Sequence, residues 1–197
     1  MRETAEKFGF NARHDTPVRS AAGSYPSGLD EAGTALTGMG QGSVTSTPLQ
    51  MAMVTAAIAN DGTVMKPHMV SELRSPDLTD LERTDPEELG RAVSADTAKK
   101  VRRMMEYTVA EGTGGAARTE GLTVGGKPGT AQHGADVRDE RPYAWFTSYA
   151  TRPDGTSPVA VAVFVDPQDM DVSRDRITGG SLAGPIAQAV MTAVRTP

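Results

Sequence analysis

The stretch from Gly40 to Thr63, GQGSVTSTPLQMAMVTAAIANDGT, narrows the fold more than any other part of the sequence. Thr47 is a good N-cap, Pro48 suits the first helical position, where its missing N–H has no intrahelical partner to lose, and Gln50 is placed to complete a capping box. A helix is predicted from Pro48 to Asn60, stopped by Asn60-Asp61-Gly62. It is apolar almost all round and rich in alanine, so it must be buried with its neighbours close against it. A chain of 197 residues is long enough to supply that core.

Around this helix the periods change. Residues 13 to 39 read as irregular, because Pro17, Gly23, Pro26, Gly28, Gly33 and Gly38 interrupt any repeat. Residues 76 to 90 carry two prolines and many carboxylates without a period, and read as a solvated excursion. Ser94 then caps a second helix, about Ala95 to Glu111, with Val101, Met104, Met105 and Thr108 as its buried stripe. The runs GLTVGGKPGTAQ, YAWFTSYA and PVAVAVFVD follow as an antiparallel meander, and a C-terminal helix has Ile186, Val190 and Val194 on one face. Helices packed on an antiparallel sheet define an α+β arrangement.

Charge and composition exclude several function classes. The net charge is −5 and no cluster of Lys and Arg marks a nucleic-acid footprint. The sequence has no cysteine, so disulfides, thiolate zinc sites and cysteine nucleophiles are excluded together. The apolar runs Met51 to Ala59 and Val159 to Val165 fall short of the roughly 20 residues of a bilayer crossing. No apolar segment follows Met1, so the chain read by itself carries no secretory signal and would stay in the cytoplasm.

One motif needs a decision. Gly121 to Pro128, GLTVGGKP, fits a phosphate loop except at its last place, where a Ser or Thr would bind Mg²⁺ and a helix would follow. Pro128 has no hydroxyl and GTAQHG does not open a helix, so the loop reading fails. The stretch reads as a strand, in which Lys127 by itself would be an ordinary solvated lysine guarding an edge. Gln41, between two glycines, reads as a turn residue. Trp145 and Phe146 are adjacent and must lie on opposite faces of their strand, at least one of them in the core. Met51, Met53, Met104 and Met105 read as core filler. His14, His68 and His133 lack metal-ligand spacing. Asp136, Asp139 and Glu140 read as a solvated loop, not as the paired acids of a glycosidase.

Taken together, GQGSVTSTPLQMAMVTAAIANDG, MKPHMV, EGTGG, GGKPGTAQ, YAWFTSYA and GGSLAGPIAQAVM resemble, in this order and over nearly all the chain, the transpeptidase domain of penicillin-binding proteins. That family shares its fold with the serine β-lactamases, and the resemblance is greatest to the class B, elongation-type enzymes of actinobacteria. Of the family's three motifs only Lys-Thr-Gly has a counterpart, Lys127-Pro128-Gly129. No serine has a lysine three places on, Ser71 and Ser173 being followed by Arg74 and Arg176, and no Ser-x-Asn occurs. The resemblance therefore implies the C-terminal portion of one such domain, residues 1 to 197, incomplete on its N-terminal side, with Met1 an internal methionine and no nucleophile of its own.

By resemblance, Lys127 holds the substrate carboxylate, Gly129 lets the substrate backbone approach, and the N–H of Thr130 forms half of an oxyanion hole. Pro128 is tolerated if its missing N–H lies on the open edge of the sheet, but the hydroxyl it replaces is lost to the substrate. The implied substrates are peptidoglycan stem peptides and β-lactams, the implied partners the cell-wall elongation or division machinery. No cofactor, metal or nucleic acid is implied. A whole member of the family is membrane-anchored and faces outside the cytoplasm. Two alternatives stand beside this reading: a truncated or degenerate, non-catalytic module, and a serine β-lactamase, which would need the same absent serine. The 197 residues alone are expected to expose a large apolar patch.

Overall fold

A computed structural model describes residues 1–14, 16–77, 79–134 and 140–195. In chain order the elements are α1 (Arg2–Lys7), α2 (Glu31–Gly38), α3 (Pro48–Ala59), β1 (Thr63–Met65), β2 (Glu72–Arg74), β3 (Asp80–Arg83), β4 (Glu88–Arg91), α4 (Ala95–Ala110), β5 (Thr123–Ala131), β6 (Tyr143–Thr151), β7 (Val159–Val165) and α5 (Gly184–Ala193). The expected meander is present as a three-stranded antiparallel sheet in the order β5-β6-β7, which makes β5 and β7 its two edges. This is the α+β arrangement read from the sequence.

Each face of the sheet carries its own core. On one face Phe146, Ala150, Val161 and Val163 pack against Ala183, Ala187 and Met191 at the C-terminal end of the chain. On the other, Tyr149 packs with Ile58 of α3 and Met105 of α4. Thr47 caps α3 as expected, accepting from Gln50 N at 3.1 Å. The capping box, however, is not closed. The Gln50 side chain donates to Phe8 O at 2.7 Å, since a carbonyl from α1's far end is buried within its reach. Asp61 and Gly62 stop the helix with φ of 50° and 88°.

Several expectations are corrected. The α4 stripe is corrected in part: Met105 is buried as expected, Ala98 and Val109 join it, and Met104 is 64% exposed. Met105, with half-buried Val101, packs in the cluster of Tyr149, and Val109 joins the core on the other face of the sheet. On α5 the buried face is Ala187 and Met191, and Ile186 and Val190 are exposed. The inward face pairs small Gly184 and Ala187 with the unbranched side chain of Met191. The supposed excursion contains strands: β1 pairs with β4, and β2 with β3. Strands β2, β3 and β4 are exposed along their whole length, so no apolar alternation marks them. Within the irregular stretch α2 forms behind Asp30, whose carboxylate accepts from Gly33 N at 2.7 Å. Among the described residues no helix is long and apolar enough to cross a membrane. Asp136 and Asp139 lie outside the described residues.

Candidate active site

The two glycines before Lys127 are dictated by packing. A Cβ at Gly125 would stand 2.4 Å from the Tyr149 ring, and one at Gly126 would stand 2.8 Å from the Phe146 ring. Aromatic rings therefore lie against β5 on both faces just before Lys127. From there the strand emerges: Lys127 and Thr130 are exposed, Pro128 and Gly129 half-buried.

Register assigns the faces. Lys127 pairs with Thr147 and Gly129 with Trp145, whereas Pro128 pairs with Phe146 and Thr130 with Ala144. Directly opposed residues share a face, so Lys127 and the Pro128 ring project to opposite sides of the sheet. The backbone groups give the edge. Pro128 O accepts from Lys127 Nζ at 2.6 Å, and Thr130 O accepts from Gln41 Nε2 at 3.4 Å. Both carbonyls thus face away from β6. Since the N–H and C=O of one strand residue point to the same side, the missing donor of Pro128 falls on the open edge, with no loss to the β5-β6 ladder.

Beside this edge is a cavity of 460 Å³. Its walls are Lys127 to Ala131, Trp145 and Thr147 on the sheet side, and Tyr25, Thr37 and Met39 with Gln41 opposite. Tyr25 and Thr37 share a 2.6 Å hydroxyl hydrogen bond, and the Tyr25 backbone is held by Asn11 through bonds of 2.9 and 3.1 Å. Ser24 bridges to Thr45, which ties this wall to the segment leading into α3. A second cavity, of 820 Å³, lies beyond Gln41 over Tyr143, Trp145 and Phe164. There His133 stacks on Tyr143 with ring centroids 3.8 Å apart, and Phe164 meets both Tyr143 and Trp145 at 4.9 Å.

The structure thus brings Lys127, Pro128, Gly129 and Thr130 to one cavity wall. Phe146 is the core member of the Trp145-Phe146 pair, and Trp145 borders both cavities. Sequence reasoning missed the opposing wall. Tyr25 and Thr37 gave no periodic signal, although Asp30-Glu31 ahead of a short run was a usable helix start. Gln41 is in a turn as read, but it also reaches the site. Glu140, the described member of the acidic set, has Gly134 at its side chain and its carbonyl accepts from Arg174.

What the arrangement offers a ligand is a cation, an exposed edge N–H at Thr130 and, between them, a residue with no side chain of its own at Gly129. That is a site for a group that accepts hydrogen bonds and carries negative charge.

The family model for the penicillin binding protein transpeptidase domain matches residues 1–192. The chain is 36% identical over 194 residues to the peptidoglycan D,D-transpeptidase PbpA of Mycolicibacterium smegmatis, covering 98% of this chain and 38% of that protein. Its fold superposes on the crystal structure of PBPA from Mycobacterium tuberculosis with a TM-score of 0.87 at 35% identity, over 99% of this chain and 45% of that one. A ceftriaxone acyl-enzyme complex of the same M. tuberculosis protein gives a TM-score of 0.87 at 36% identity, over 98% and 42% of the two chains. The chain therefore spans less than half the length of these relatives.

Proposed function

Because the chain belongs to the penicillin-binding-protein transpeptidase family, we propose that it supplies one wall of a serine D,D-transpeptidase site acting on peptidoglycan stem peptides. The observation that carries this reading is the placement of Lys127 and Thr130 on the open edge of β5, beside a 460 Å³ cavity. The nucleophile is a serine outside these 197 residues, since no Ser-x-x-Lys occurs in them.

In the proposed reaction that serine attacks the carbonyl of the penultimate D-alanine. Its proton goes to a neighbouring base and, from there, to the departing terminal D-alanine, leaving an acyl-serine. Lys127 pairs with the terminal carboxylate. The Thr130 N–H donates to the oxygen that becomes negative in the tetrahedral intermediate. An amine of a second stem peptide then takes the acyl group, which cross-links the wall and frees the serine. β-Lactams enter at the first step and stop there. No metal or cofactor is needed. The whole protein is proposed to be membrane-anchored, to face outside the cytoplasm and to work with wall-elongation or division proteins.

A non-catalytic module is the second reading. It is favoured by Pro128 in the motif and by the absence of both other motifs from the sequence. Labelling with a fluorescent penicillin separates the two. The complete natural polypeptide carrying these residues is expected to form a covalent adduct, and Lys127→Ala to form it at least about ten-fold more slowly. No adduct on that polypeptide establishes the non-catalytic reading. An adduct on the 197 residues alone would place the nucleophile among them.

A further inference from the structure

Gln41 stands on a turn whose backbone is already committed. Gly40 and Gly42 flank it at φ of 72° and 80°, a region that favours glycine. Gln41 N donates to Leu36 O at 3.0 Å, and Gly40 N donates to Thr37 O at 3.0 Å, which closes the end of α2. From this fixed base the side chain crosses to the sheet and donates to Thr130 O at 3.4 Å. Among the described residues it is the one side chain outside β5 that hydrogen-bonds to the backbone of that strand's open edge. It also borders both cavities, so it stands between the Lys127 pocket and the aromatic floor.

Pro128 gives this contact its importance. With no N–H at 128, a ligand on the edge cannot be oriented by two successive backbone donors. Orientation falls to Thr130, close to the strand's end at Ala131. We propose that Gln41 is a positioning residue for acyl transfer: by holding the Thr130 carbonyl it fixes the Thr130 backbone, so that the N–H on the same side is presented to the cavity at a set angle. This rests on the reading of Thr130 as the oxyanion donor.

The test has two readouts. In the 197-residue chain, the backbone ¹⁵N order parameter of Thr130 is expected to fall in Gln41→Ala from the rigid value of about 0.85 toward about 0.6, with Val163 unchanged. Gln41→Glu should behave the same way at neutral pH, where a carboxylate cannot donate. It should recover as pH falls below about 4.3, where the protonated acid can. In the complete polypeptide, Gln41→Ala is expected to slow the acylation step about ten-fold or more while the non-covalent affinity for the β-lactam holds. A Thr130 indifferent to residue 41, in a protein that is acylated, overturns the proposal alone. A wild type that is never acylated, with Thr130 still dependent on Gln41, overturns the transpeptidase reading instead.

Discussion

Gly179 lies directly against Gly129: a Cβ at position 179 would stand 2.6 Å from both the nitrogen and the oxygen of Gly129, and 2.0 Å from Trp145 O. The turn Gly179–Ala183, fixed by Thr178 accepting from Ser181 N at 3.1 Å, thus backs the segment that carries Lys127 and Thr130. Gly179→Ala must push this backing off the sheet, at a cost of about 1–3 kcal/mol or more. The control is Gly115→Ala, whose added Cβ would meet only Val109 O at 3.9 Å, and which is expected to stay within about 0.5 kcal/mol. Urea unfolding decides it, and equal stability of the two variants would show that the backing is compliant.

Tyr149 ties β6 to α4. It is fully buried and donates to Glu106 Oε1 at 2.9 Å. Burial first, and then the bond to Glu106, pushes its phenol up beyond the ordinary tyrosine range. The folded chain therefore keeps a proton that the unfolded chain releases near pH 10, so stability is full below that pH and declines above it. The expected slope from this group is about 1.4 kcal/mol per pH unit. Tyr149→Phe should remove that slope, and at neutral pH it should cost about 0.5–1.5 kcal/mol by stripping Glu106 of its donor. Unfolding measured from pH 8 to pH 11 in both proteins reads the difference.

What the sequence disclosed follows from how local each signal is. The caps at Thr47 and Ser94 and the meander were legible because each lies within a few adjacent residues. The inward face of α5 was not, and that of α4 only in part. Periodicity named Met105 and Val101 rightly but also Met104 and Ile186, because the angle at which a helix seats on a sheet is a tertiary matter, and on α5 that favoured Ala187 and Met191. The Lys127 to Thr130 wall was legible through the family pattern. The wall opposite it, from Tyr25 to Gln41, depends on contacts as distant as Gln41 with Thr130. No window along the chain contains both partners.

Phe164 is 39% exposed on the outer strand β7, next to Trp145 and Tyr143. Met39 at 71% and Ile186 at 47% add to the exposed apolar surface. A strand of sequence VAVAVFV, with no proline and no charge on an open edge, invites pairing with a second copy. The 197-residue chain is expected to bind a hydrophobic dye and to self-associate as its concentration rises. Phe164→Lys should lower both. Sedimentation showing a monomer at every concentration, without dye binding, would mean that this edge is already protected.

Pro128 sets the last prediction. Its ring shares a face with Phe146, its nitrogen occupies the open edge, and its carbonyl is taken by Lys127. Threonine at this place would restore an edge N–H two residues before that of Thr130, and would add a hydroxyl. Neither change touches the β5-β6 ladder, so Pro128→Thr should leave unfolding stability within about 0.5 kcal/mol. On the proposed reading a substrate carboxylate gains at least one donor, and a hydrogen bond to a charged group is worth about 1.5–3 kcal/mol, which is about ten-fold or more in affinity. The acylation rate of the complete polypeptide at subsaturating β-lactam should therefore rise by about that factor. An unchanged rate would mean that Lys127 already satisfies the carboxylate unaided, and that the proline takes nothing from the reaction.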